Sequence, residues 1–187
     1  MFMDINISCR LYRGRVTYSP VPELNLLMAF QDEHGYESYS ECFGLDDWND
    51  ASGLTAGWSK DPAFLARLTP FARATGGGSF YALWDAGDGT RPVVVFGDEG
   101  GEHVVARDVR ELFQLLTFDS EPMVDHDGVT FYRSADDEHS DAHDEFVTWL
   151  QAHFGLPATD DPERIVGAAQ AEYGERFTTW KSAYLDC

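Results

Sequence analysis

Between Thr69 and Leu116 the chain reads TPFARATGGGSFYALWDAGDGTRPVVVFGDEGGEHVVARDVRELFQLL. Three extended apolar runs are parted there by two loops of Gly and Asp. Ser79–Trp84 is aromatic, Pro92–Phe96 is β-branched, and Glu102–Ala106 is the third. The loops Asp85–Arg91 and Gly97–Gly101 carry turn residues between apolar runs, which predicts an antiparallel meander. A helix follows with its own start signal. Asp108 is placed to cap it, and Glu111 three residues later completes a capping-box pattern. Val109, Leu112, Phe113 and Leu116 fall at i, i+3, i+4 and i+7, an apolar stripe that must face a core.

Weaker signals extend on both sides of this block. Asp4–Ser8 alternates polar and apolar as a half-buried strand would, and Leu11, Val16 and Tyr18 fit a second strand with Gly14 near the bend. Ser19–Pro22 breaks regular structure, and Leu24–Phe30 is apolar but fits either type of element. Asp61–Pro62 opens a helix with Phe64, Leu65 and Leu68 on one face, ending before Pro70. Asp127–Gly128 marks a hairpin within Glu121–Arg133. A helix then buries Phe146, Val147, Leu150 and Phe154, with Gly155 closing it and Pro157 beyond. Asp161–Pro162 opens a last helix, with Ile165, Val166, Ala169, Tyr173, Phe177 and Trp180 at helical spacing as far as about Tyr184. At 187 residues this is one α+β domain: an antiparallel meander flanked by helices, with its C-terminal pair over about 140–184.

Charge narrows the partners. The chain has 33 Asp and Glu against 13 Lys and Arg, a formal charge of −20. Nucleic acids are bound through cationic neutralisation of phosphates, so this balance argues against them, and it disfavours anionic membranes too. It favours a basic protein partner drawn in by the field, although acidic surfaces also serve solubility. Gln31–Asp50 concentrates seven of these acids and no Lys or Arg, with Tyr36, Tyr39, Phe43 and Trp48 among them, and reads as loop with short elements. Cys9, Cys42 and Cys187 form no CxxC pair, which points to a reduced cytoplasmic protein. The opening residues carry no secretory pattern, and no run reaches the roughly 18 apolar residues a membrane helix needs.

Candidate chemistry is sparse. His139 and His143 lie four apart in an acidic stretch, a spacing that on a helix puts both rings on one face, as in zinc sites. The Glu that would follow the first His as general base is missing, and acids in a helix first turn are favoured by the dipole alone. These two are the weak metal candidates. Gly76–Gly77–Gly78 precedes a strand and lacks a following Lys-Ser/Thr, so a tight corner suits it better than a phosphate cradle. Asp85, Asp88, Asp98, Glu99 and Glu102 gather on the meander loops without a spacing that dictates catalysis. Cys42 has acidic neighbours, which raise a thiol pKa. No cofactor fingerprint is present.

In its order of pieces the central block resembles the SUKH superfamily, which includes yeast cell-wall-synthesis regulators and bacterial immunity proteins. The residues that carry the likeness are Pro70–Arg73, Gly76–Gly78, Phe80–Trp84, Val95–Glu99 and Val105–Phe113, within a family-like core of about 60–118. The resemblance implies a non-enzymatic protein-binding module that neutralises a cognate toxin, often a nuclease. Its eukaryotic branch implies a regulatory scaffold instead, and a metal-binding protein or enzyme using His139 and His143 is a third reading. Charge and loop placement nominate Asp46, Asp47, Trp48, Asp50, Asp98 and Glu99 as partner contacts.

Overall fold

Local signals set most of the architecture. The computed structural model describes residues 17–185. The strands read over Asp4–Ser8 and around Leu11 and Val16 lie outside the described residues, as do Cys9 and Cys187. Asp108 caps helix α4 (Val109–Leu116), its carboxylate accepting the N–H groups of Arg110 and Glu111. Glu111 reaches back one residue further than a capping box requires, to the Arg107 N–H at 2.9 Å.

The predicted meander forms as β3 (Phe80–Trp84), β4 (Val93–Phe96) and β5 (Glu102–Ala106). Two further strands precede it in space and sequence, β1 (Gly44–Leu45) and β2 (Leu68–Arg73). The sheet is antiparallel throughout in the order β1-β2-β3-β4-β5. Here the sequence reading needs correcting. The helix opened by Asp61–Pro62 is only α3 (Pro62–Leu65), and Leu68 begins a strand that contains Pro70. Proline is tolerated in a strand at a bulge, and the pairing slips by one residue between Pro70 and Ala72. Phe71 is the extra residue, so Phe71 and Ala72 both enter the same core.

Both sheet faces are covered, which explains why β4 is apolar at every position. Tyr81, Leu83, Val93 and Val95 point into one layer with α1 (Pro22–His34), α4 and α5 (His143–Phe154). Ala82, Trp84, Val94 and Phe96 point into the other, with α2 (Ser52–Gly57), α3 and α6 (Pro162–Lys181). A second bulge places Val105 and Ala106 together in the first layer. α6 packs along β5 and divides its side chains, Ile165 and Val166 to the first layer and Ala169, Tyr173 and Phe177 to the second. The ambiguous Leu24–Phe30 run is helical. Pro22 starts α1 rather than breaking structure, since its missing N–H falls in the first turn.

The predicted hairpin is β6 (Pro122–Val124) with β7 (Val129–Phe131), its turn held by Asp125 Oδ1 accepting the Asp127 and Gly128 N–H groups. It docks on the β4–β5 turn at Gly101. There φ is +86° and a Cβ would lie 2.0 Å from the Asp125 carbonyl oxygen. Only glycine allows that approach.

Candidate functional site

β1 and the residues after it lie along the outer side of β2. The Asp46 N–H donates to the Phe71 carbonyl at 3.0 Å and the Asn49 N–H to the Pro70 carbonyl at 2.8 Å. The Tyr18 hydroxyl reaches both the Asp46 and Phe71 carbonyls, at 2.7 and 2.8 Å. These bonds fix the acidic run Asp46–Asp50 at the border of a depression of about 780 Å³. Asp46, Asp47, Trp48 and Asp50 all line it, with Tyr18, Arg73 and Phe80 among the other walls. Four of the six residues nominated from sequence are thus brought to one place.

The three carboxylates are exposed and the indole is half-buried. Trp48 packs against the first core layer and meets Tyr18 edge-to-face at 6.0 Å. It is therefore part wall and part surface. Asp46 Oδ1 accepts the Tyr36 hydroxyl at 2.7 Å. Burial, then the bond to Asp46, drives the Tyr36 phenol well above its usual range, so it remains a donor. The Ser52 N–H and hydroxyl hold the Asp50 carboxyl below its usual range. Arg73 is the cation in this lining. It is paired to Glu37 at 2.6 Å and lies over the Tyr36 ring, so the surface offered is anionic, with Tyr18, Trp48 and Phe80 as its aromatic lining.

Asp98 and Glu99 sit apart, in the β4–β5 turn. Asp98 exchanges two hydrogen bonds with Ser79: the hydroxyl donates to Oδ1 at 2.6 Å and accepts the Asp98 N–H at 3.0 Å. Ser79 lines the depression, but its partner Asp98 does not, and neither does Glu99; both acids are exposed. Gly76–Gly78 is the corner between β2 and β3, as its residues imply. A Cβ on Gly77 would stand 2.4 Å from Asp98 Oδ2. The other meander acids have separate partners. Asp88 pairs with Arg176 at 2.9 Å, and Glu102 accepts the Trp58 indole N–H at 3.1 Å. Cys42 carries a free thiol pushed up to about 11, by burial first and then by its hydrogen bond to Glu121.

His139 and His143 are also brought together, but not as two positions of one helix. His143 is the first residue of α5, and His139 lies in the loop before it. Their rings stack with centroids 3.9 Å apart and 13° between planes. Beside them is Asp119, which the sequence reading missed. It sits just after α4 with φ +58°, a left-handed conformation that Asp tolerates better than most residues. Its carboxylate is buried and joins four segments. Oδ1 accepts the Glu41 N–H at 2.8 Å and the Ser140 hydroxyl at 2.7 Å. Oδ2 accepts the Ser140 N–H at 2.7 Å and Arg133 Nη1 at 3.3 Å, and faces His139 Nδ1 at 3.0 Å. Burial pushes the Asp119 carboxyl up, but the bonds from Ser140, His139 and Glu41 outweigh it, and the net shift is downward.

Among the described residues, no helix is long and apolar enough to cross a membrane. Comparison of the chain with known family models, curated proteins and solved structures finds no match in any of the three.

Proposed function

We propose that the chain is a non-enzymatic protein-binding module of the cytoplasm, and that its partner is a basic protein received at the cleft of Asp46, Asp47, Trp48 and Asp50. One observation carries this reading. Residues nominated by charge and loop placement line one depression of about 780 Å³, and their carboxylates are exposed rather than consumed by cations. Exposed like charges beside aromatic side chains steer an oppositely charged surface and give it an apolar contact to settle on. The formal charge of −20 adds long-range attraction that salt screens beyond about 10 Å at 0.1 M.

Within that class, an immunity protein is the specific role the SUKH-like residue order supports. A nuclease toxin presents a cationic cleft built for phosphates, and an acidic surface competes there directly. The natural partner to test is the product of the gene beside this one, purified and measured against the chain by stopped-flow association over a range of salt. Asp46→Asn, Asp47→Asn and Asp50→Asn combined should slow association about tenfold at low salt and leave it nearly unchanged at high salt. Association indifferent to both the triple change and the salt would remove the cleft from the mechanism. A tight, salt-sensitive partner with no toxic activity would favour the regulatory scaffold instead.

A further inference from the structure

We infer that Asp119, His139 and His143 form a binding site for a late first-row divalent metal ion of the zinc type. The proposal is independent of the acidic cleft. One donor atom from each of the three residues lies within 4.8 Å of the others. Proximity alone would not suffice in so acidic a chain. The second observation is the state of His143, which is only 7 % exposed. Its Nε2 lies 2.9 Å from the Thr117 carbonyl oxygen. A carbonyl can only accept, so Nε2 carries the hydrogen there and the lone pair of the neutral ring is left on Nδ1. That Nδ1 is buried and has no hydrogen-bond partner. An unpartnered buried polar atom costs free energy unless something else satisfies it. A metal ion is the partner that wants a neutral imidazole lone pair.

The surroundings match what ligands require. A ligating histidine donates its other ring N–H to a carbonyl or carboxylate, which sets tautomer and orientation; the Thr117 carbonyl does this for His143. A ligating carboxylate is itself hydrogen-bonded, as Asp119 is by Ser140 and Glu41. The Asp119 Oδ2 to His139 Nδ1 distance of 3.0 Å is close to the edge of about 3.3 Å between ligands of a tetrahedral zinc ion. The ion would take the place of the hydrogen between those two atoms, and His139 would carry its hydrogen on Nε2 instead.

One adjustment is needed. Stacked rings hold their lone pairs in two near-parallel planes, with centroids 3.9 Å apart, so one ring must turn for both to meet an ion. His139 is the ring free to turn: its side chain is 51 % exposed, against 9 % for His143. The site thus has two fixed ligands and one hinged ligand. Asp144 Oδ1 lies 3.6 Å from His143 Nδ1, within reach of the fourth position, which otherwise falls to water. The donor set of two imidazoles and a carboxylate suits zinc, and cobalt(II) as its spectroscopic substitute.

The test uses the whole chain, freed of metal by chelator, titrated with zinc and separately with cobalt(II). One ion should bind per chain, with the strong visible absorption of a tetrahedral cobalt(II) centre. His139→Ala removes an exposed ligand without touching the core, so it should stay folded and lose about 100-fold or more in affinity, at least as much as loss of an outer partner costs. His143→Gln should lose as much, its far-ultraviolet circular dichroism serving as the folding control. Weak binding of several ions that both variants retain would mean a screened acidic surface, and would overturn the site. Octahedral cobalt spectra unchanged by either substitution would overturn it equally.

Discussion

Carboxylates serve opposite ends in the two acidic regions of this molecule. At the β2 edge, Asp46, Asp47 and Asp50 are exposed, and no salt bridge among the described residues includes them. Behind α4, Asp119 is only 2 % exposed and accepts hydrogen bonds from the Glu41 and Ser140 segments and from Arg133. Water and salt weaken the first group's fields at close range, so those residues contribute little to folding and can act on a partner. Asp119 has lost its water and must be satisfied internally, so it contributes mainly to architecture. The same functional group is left open to an encounter where it is wet and supplies cohesion where it is dry.

Replacing Asp119 by Ala should therefore produce the largest effect in the molecule's acidic set. It strands Arg133, whose side chain is 13 % exposed, and frees the donors of Ser140 and Glu41 at once. Removing one member of a buried pair costs about 3–5 kcal/mol, read as a fall in the urea midpoint with unchanged slope. Asp119→Asn should recover part of that, because the amide oxygen still accepts. A loss below about 1 kcal/mol for Asp119→Ala, the range of a surface ion pair, would break the contrast between the two regions. The cleft triple Asp46→Asn, Asp47→Asn, Asp50→Asn should behave in the opposite way. Each change should move stability by less than about 0.5 kcal/mol, and their sum should lean towards stabilisation by relieving self-repulsion. Asn keeps an oxygen for the Tyr36 hydroxyl and the Ser52 N–H, so lost hydrogen bonds would not mask the result.

The two regions were not equally legible in the sequence. β3, β4, β5, α4 and the β6–β7 hairpin announce themselves, because turn residues, a cap and apolar spacing all lie within a few positions of each other. The cleft was half legible: charge density nominated Asp46–Asp50, yet the residues beneath them were hidden. Pro70 disguised β2, since a proline in an inner strand is admissible only with the bulge at Phe71 that tertiary pairing supplies. α1 was ambiguous because Leu24, Leu26 and Leu27 are all apolar, although Leu26 remains 41 % exposed. Asp119 could not be found from spacing. Its role depends on Glu41, Arg133 and the adjacent His139 and Ser140 arriving from different parts of the chain, and its positive φ is a property of the turn after α4. The His139–His143 spacing did point to a shared location, but through a stack at the entrance to α5 rather than one helical face.

Cys42 offers the finest comparison, because it is an acidic-region residue neither wet nor fully dry. Burial raises its thiol first, the hydrogen bond and charge of Glu121 raise it further, and the Gly76 N–H opposes them; the balance is about 11. A raised pKa favours the neutral thiol in the folded chain. Its contribution to stability is therefore fully present below the unfolded thiol value, near 8.5, and is lost as pH rises through the folded value. At neutral pH it should be invisible in an unfolding curve. It should be visible in reactivity, since the thiolate is the nucleophile. In a Cys9→Ser, Cys187→Ser background, iodoacetamide alkylation of the folded chain should rise with a midpoint near 11. Glu121→Gln should bring that midpoint down by removing a nearby negative charge. A midpoint near that of a free thiol in the parent would mean that Glu121 and the local burial exert no such hold, and that this corner belongs with the wet carboxylates rather than with Asp119.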